Sequence, residues 1–295
     1  MSTLPLLARG IVQYGRGREA PEILRGVNLD VAEGLTALVG PNGSGKTTLL
    51  RTLAGLLPPW EGHVEVGGVA LQDDAAAVRR RVGYLPQFPG VFRRLTVREH
   101  FERQRLWVDG AGERSPAAAL EHFGLSAWQD APAAALTPSR RRWLALALMW
   151  ARHAQVLLLD EPTAGLDLED RLVFWERMLD LLHDARSIRA IVVTTHLLDE
   201  VERYCRHVVM LAGGRAVFQG TVAKLRERGR DRAFFGQPSG WPPDAVEVGV
   251  DLHSGHRLGL ALAGPPPPEL PLRVPQLVDG YLLLEREWTR VGASS

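Results

Sequence analysis

The 295-residue chain carries 35 basic against 34 acidic residues, a formal charge of +1, so bulk electrostatics leave no footprint for DNA or RNA and no nucleic acid is expected as a partner. Cys205 is the single cysteine, which excludes an intramolecular disulfide and any zinc or thioredoxin-like spacing and fits a reducing cytosol. The longest apolar runs, Val156 to Leu159 and Ala190 to Val193, are far below the roughly 20 residues that span a bilayer, so membrane attachment is expected to go through a partner.

In chain order, the first apolar stretch, Leu4 to Ala8, lacks the basic n-region and long h-region of a secretory signal. Leu35 to Val39 has strand length and leads into Gly40-Pro41-Asn42-Gly43-Ser44-Gly45-Lys46-Thr47. This is the G-x-x-x-x-G-K-[ST] pattern between a strand and a helix. Its glycines turn backbone N–H groups toward a β-phosphate, and the following helix aims its positive end at the anion. Lys46 is placed to reach the β- and γ-phosphates, and Thr47 to offer its hydroxyl to Mg²⁺. Lys46 and Lys224 are the only lysines in an arginine-based chain, which makes a chance glycine-rich turn a weak alternative.

The stretch from about 88 to 153 is rich in Ala, Leu and Arg and reads as a helical insertion, with a helix over 141 to 152. Val156-Leu157-Leu158-Leu159-Asp160-Glu161 reads as a buried strand delivering two carboxylates at its C-terminal end, where α/β sheets bind ligands. Asp160 is the candidate Mg²⁺ ligand and Glu161 the candidate general base. A plain helix N-cap is the competing reading of the pair, and it loses ground downstream of a P-loop. A third strand over 190 to 195 and a hairpin over 208 to 217, turning at Gly213 and Gly214, close a core expected to end near Gly220. A charged segment, 224 to 232, then leads to Gly- and Pro-rich sequence, including Pro265 to Pro268, read as a small β-containing C-terminal domain over 221 to 295.

The residues that choose among P-loop families lie elsewhere. Gln87 in Tyr84-Leu85-Pro86-Gln87, the segment Ala164-Gly165-Leu166-Asp167 after Glu161, and His196 after the strand 190 to 195 stand in the order of the ATP-binding cassette family, which the chain resembles over residues 1 to about 220. That resemblance implies an α/β fold: a P-loop NTPase core with an antiparallel β subdomain, a helical subdomain over about 88 to 153, and here a small C-terminal domain. It implies that ATP and Mg²⁺ are bound, with the nucleotide held by residues 40 to 48, Thr48 included. Glu161, His196 and Gln87 would be catalytic, and Thr47, Asp160 and Gln87 would meet the metal. Tyr14 is similar in position to the family's adenine-stacking aromatic, although a surface or core tyrosine reads equally well. Where the family has Leu-Ser-Gly-Gly-Gln, this chain has Leu136-Thr137-Pro138-Ser139-Arg140. Pro138 removes a backbone donor, but Thr137 keeps a hydroxyl and is a good N-cap, Pro138 suits the first helical position, and Ser139 keeps an N–H for a nucleotide bound by a second cassette.

Leu95-Thr96-Val97-Arg98-Glu99 and Val274 to Leu282 resemble segments of export-type ATPase subunits. The implied partners are an integral membrane permease on a separate chain and a second cassette, as homodimer or heterodimer. The expected location is the cytoplasm, peripheral on the inner face of the cell membrane. Two other readings stay open: a soluble cassette ATPase acting on ribosomes or DNA, and a regulatory ATP-binding module with weak hydrolysis.

Overall fold

A computed structural model describes residues 4–15, 20–105, 114–152, 154–183, 188–251, 254 and 256–292. Strands β1 (Leu6–Tyr14) and β2 (Glu22–Val31) open the chain, and β3 (Gly34–Val39) feeds helix α1 (Lys46–Leu53). After them come β4 (Glu61–Val66), β5 (Val69–Ala70), α2 (Ala75–Arg81) and β6 (Val82–Leu85). The helical insertion holds α3 (Val97–Arg105), α4 (Pro116–His122) and α5 (Pro138–Ala151). The chain re-enters the sheet through β7 (Val156–Asp160), α6 (Leu168–His183), β8 (Ala190–Thr194), α7 (Leu198–Tyr204), β9 (His207–Ala212) and β10 (Arg215–Thr221).

Two sheets result. One is antiparallel, in the order β2-β1-β4-β5, and the other runs β10-β9-β3-β8-β7-β6. All neighbours in the second are parallel except the β10–β9 hairpin. Its central strands are apolar on both faces because each face is covered. Leu38, Leu158, Val192 and Val209 point toward the antiparallel sheet and α1, whereas Val39, Leu157, Val193 and Val208 point toward the helices. The two-residue period of a strand does this sorting.

Helix α5 spans Pro138–Ala151, starting three residues before the expected 141 to 152 and at the cap and proline that the residues themselves offered. Thr137 caps it, its Oγ1 accepting the Arg140 N–H at 3.2 Å, and the fixed φ of Pro138 suits the first helical position. The hairpin is also longer than the expected 208 to 217, and it turns through Gly213 and Gly214 at φ 51° and 77°.

Beyond β10 the chain forms α8 (Val222–Glu227), a sheet of β11 (Ala233–Gly236), β12 (Val246–Val250) and β13 (Arg257–Leu260) in the order β11-β13-β12, and α9 (Leu277–Gly292). Gly280 allows α9 to press on α8: a Cβ there would sit 1.8 Å from the Leu225 carbonyl oxygen. Asp279, fully buried, anchors the start of α9 through two bonds from the Arg273 guanidinium, 2.8 and 2.6 Å, and one from the Gln276 N–H, 2.7 Å. Leu277 and Leu284 of α9 belong to the same apolar cluster as Val208 and Met210 of the main sheet. Near its end, Trp288 lies against the Gly213 turn, where a Cβ would approach its ring to 2.6 Å. No described helix is long and apolar enough to cross a membrane.

Candidate functional site

Strand order gathers the chemistry. With β3, β8, β7 and β6 side by side, the P-loop, His196, the Asp160–Glu161 pair and Gln87 all leave the same C-terminal edge. The loop from Gly40 to Gly45 depends on its glycines. Gly40, Gly43 and Gly45 take φ values of 147°, 77° and 101°, and a Cβ on Gly40 would lie 2.0 Å from the Leu211 carbonyl oxygen.

Asn42, Gly43, Gly45, Lys46, Thr47 and Thr48 share one cleft of about 350 Å³ with Ile23, Asp160 and Glu161. The Lys46 ammonium donates to the carbonyls of Gly40 at 2.8 Å and Pro41 at 3.0 Å. Burial draws its pKa down, and the Glu161 and Asp160 charges oppose that shift. Ser44 turns inward instead, and its buried Oγ has no hydrogen-bond partner.

Asp160 is buried at the end of β7. Its Oδ1 accepts from the Thr194 hydroxyl at 2.8 Å, and that hydroxyl in turn accepts the Glu161 N–H at 2.8 Å. The register pairs Asp160 with Thr194 directly. On the other oxygen, Tyr84 Oη donates to Oδ2 at 3.5 Å. Burial is the main cause holding the Tyr84 phenol above its ordinary range. Glu161 occupies the left-handed region, φ 45°, a conformation uncommon for a side chain of this kind and characteristic of constrained sites. Its Oε2 accepts from Gln87 Nε2 at 3.0 Å, while Oε1 lies 3.9 Å from His196 Nδ1.

The remaining sequence candidates stand apart from the cleft within one chain. Tyr14, exposed at the end of β1, meets the edge of Trp60 with ring centroids 5.6 Å apart. Thr137 and Ser139 lie at the start of α5. Pro138 there lines a separate cavity of about 490 Å³ with Gln87, Arg141, Arg142 and Gly165. The Arg140 guanidinium sits 4.2 Å over the Trp128 ring. Arg142 ties α5 to the segment after Glu161 through a 3.1 Å bond from Nη2 to the Ala164 carbonyl.

Sequence reasoning passed over Thr194, Tyr84, Ile23 and Arg142. A threonine ending a strand parallel to the one that ends in Asp160 was the available signal for the first. The donors that face the cleft suit a hard divalent ion: the Thr47 hydroxyl and the Asp160 carboxylate are both oxygen ligands. Among the described residues no group of three or more His, Cys, Asp or Glu that could hold a metal ion is present.

Residues 24–164 match the ABC transporter family. The chain is 36% identical over 209 residues to the Nod factor export ATP-binding protein I of Burkholderia orbicola, covering 70% of this chain and 68% of that protein. It is also 37% identical over 227 residues to ATP-binding cassette sub-family A member 7 of Rattus norvegicus, covering 74% of this chain but only 10% of the rat protein's length. A solved ATP-binding subunit of an ABC transporter superposes with a TM-score of 0.66 at 27% identity, covering 77% of this chain and 93% of that one. With its P-loop, paired strand-end acids and cassette topology in place, the chain belongs to the ABC transporter family of ATP-binding ATPases.

Proposed function

We propose that this chain is the ATP-hydrolysing subunit of an export-type ABC transporter, working as one of two cassettes against a separate membrane permease. The observation that carries the reading is the single cleft lined by Lys46, Thr47, Asp160 and Glu161 at the C-terminal edge of the parallel sheet. The triphosphate of ATP lies in the P-loop turn at the positive end of α1. Lys46 then exchanges the Gly40 and Pro41 carbonyls for phosphate oxygens. Thr47 and Asp160 would hold Mg²⁺, with the Gln87 amide oxygen within the same arrangement, and the ion supplies charge neutralisation at the phosphates.

Glu161 orients water and takes its proton, and its fixed, left-handed backbone holds the carboxylate beside Gln87 and His196. For that water to be activated, Gln87 has to release Oε2. His196, which is largely exposed, contacts the γ-phosphate. Tyr14 stacks on the base.

A second cassette, identical or related, completes each site by presenting its own Thr137-to-Arg140 segment at the start of α5. The permease is supported by a different surface. An apolar groove of about 700 Å³ runs beside the Gln87 loop, lined by Pro89, Phe92, His100, Leu148 and Met149 among others. Phe88 and Phe92 stand 83% and 56% exposed at its margin, a pattern that marks a docking surface. Such a chain works peripherally on the inner face of the membrane. The export direction rests on the names of the Nod factor export relatives.

One specific feature favours the weak-hydrolysis reading. Thr137 Oγ1 is already the acceptor for the Arg140 N–H, and Pro138 has no N–H to give. The test is an ATPase assay of the chain alone and with its co-purified membrane protein, comparing wild type, Lys46→Ala and Glu161→Gln. The reading requires loss of nucleotide binding in the first variant. The second has to retain binding while kcat falls by about 10²–10⁴. Full turnover in Glu161→Gln would refute it.

A further inference from the structure

The C-terminal segment contains a cavity of about 380 Å³ between α9, the connection from α8 to β11 and the residues after β13, remote from the nucleotide cleft in its lining. Arg228, Arg232, Arg286 and Arg290 line it, with Glu287 as the acid among its lining residues and Leu283 on its apolar side. Four guanidinium groups against one carboxylate leave the wall with a net charge of +3.

Glu287 is engaged with Arg228, which reaches its two oxygens at 3.0 and 2.7 Å. Arg232 and Arg286 are oriented by backbone carbonyls, Nη1 of each donating to Leu262 at 3.1 Å and to Asp244 at 3.5 Å. Carbonyl partners fix a guanidinium without cancelling its charge. The nearby Asp244 carboxylate is turned onto the Ala263 N–H. Arg286 and Arg290 lie four residues apart on α9, so they project from one face of that helix.

A chain whose overall charge is only +1 has therefore concentrated positive charge in one concave place, and has done it with arginine, whose planar fork matches phosphate oxygens two at a time. We propose that this cavity is a binding site for a phosphate-bearing anion, either free in solution or carried on a lipid headgroup. Arg286 also lines the neighbouring cavity of about 490 Å³ that reaches Pro41 of the P-loop and Trp288. The anion site and the nucleotide site thus share α9 as a structural neighbour.

The experiment uses the full chain carrying Lys46→Ala, which removes phosphate binding at the P-loop. Inorganic pyrophosphate titrated into it by calorimetry should bind at one site. Arg290→Gln, at an exposed position, and Arg286→Gln should each weaken that binding by about tenfold or more, with melting curves verifying that both variants are folded. Arg230→Gln, which removes a charge paired with Glu227 outside the cavity, should leave binding unchanged. In a parallel arm, vesicles of phosphatidylglycerol in phosphatidylcholine are compared with phosphatidylcholine alone. Pyrophosphate binding assigns a free anion, and vesicle binding without it assigns a headgroup, each lost in Arg290→Gln. Absence of binding in both arms overturns the site, as does an equal loss in Arg230→Gln, which would mean charge attraction without a pocket.

Discussion

Gln87 Nε2 donates to Glu161 Oε2 at 3.0 Å, so an amide from the loop after β6 holds the carboxylate proposed to take a proton from water. Replacing that amide by an acid places two carboxylates within contact, where one of them is forced to keep its proton to higher pH. For Gln87→Glu, the acid limb of the kcat/KM–pH profile, which reports the free chain, is expected to move upward by about one unit. A profile superimposable on that of the wild type would show that the two side chains do not face each other before nucleotide binds.

Thr194 bridges both acids, donating to Asp160 and accepting from the Glu161 backbone. Thr194→Val keeps the shape but leaves the buried Asp160 Oδ1 without that donor, a loss of about 1–3 kcal/mol. The expected outcome is a fall in denaturation midpoint together with a reduced kcat. If stability drops while hydrolysis per folded molecule is unchanged, Thr194 is a packing residue and nothing more.

Tyr14 and Trp60 meet edge to face, and Trp60 is 72% exposed. Should Tyr14 carry the base, Tyr14→Ala will weaken ATP by about 1–3 kcal/mol, the scale of base stacking on an aromatic ring. Tripolyphosphate, which has no base, should bind the variant as it binds the wild type. Equal losses for both ligands would place Tyr14 outside base recognition.

Cys205 is buried at the end of α7, and burial, with Glu200 nearby, pushes its thiol up to about 12. A disulfide reagent attacks the thiolate, so the folded chain at pH 8 should resist labelling and release one thiol equivalent only on unfolding. The raised value also sets a sign. The unfolded thiol ionises first, near 9.0, so this group's contribution to stability is intact below that pH and is lost as pH rises toward about 12. Rapid labelling under native conditions at neutral pH would contradict the burial.

The nucleotide cleft was legible because its parts are contiguous in sequence: residues 40 to 47 form one motif, and Asp160 and Glu161 end one apolar run. Thr194 was not, since its role arises from strand register, Asp160 against Thr194, which no local pattern carries. The antiparallel layer was expected from the family resemblance and is present, but its individual strands were not legible. Strand β4, Glu61-Gly62-His63-Val64-Glu65-Val66, is partly exposed, and its polar residues mask a strand that pairing with β1 and β5 secures. At α5 the cap and the proline were legible as residues, and the helix starts where they place it, at Pro138. The tail read as a short segment up to Leu282, whereas α9 continues to Gly292, carrying Trp288 onto a turn more than seventy residues away whose glycine gives no sign of a distant aromatic.

Leu277 and Leu284 are embedded in the cluster that also packs the main sheet, so the tail and the nucleotide-binding body share one continuous apolar core. Peeling α9 away would strip apolar cover from beneath β9, the strand whose Leu211 carbonyl lies against Gly40 of the P-loop, so damage at the far end of the chain is transmitted as a weaker grip on phosphate.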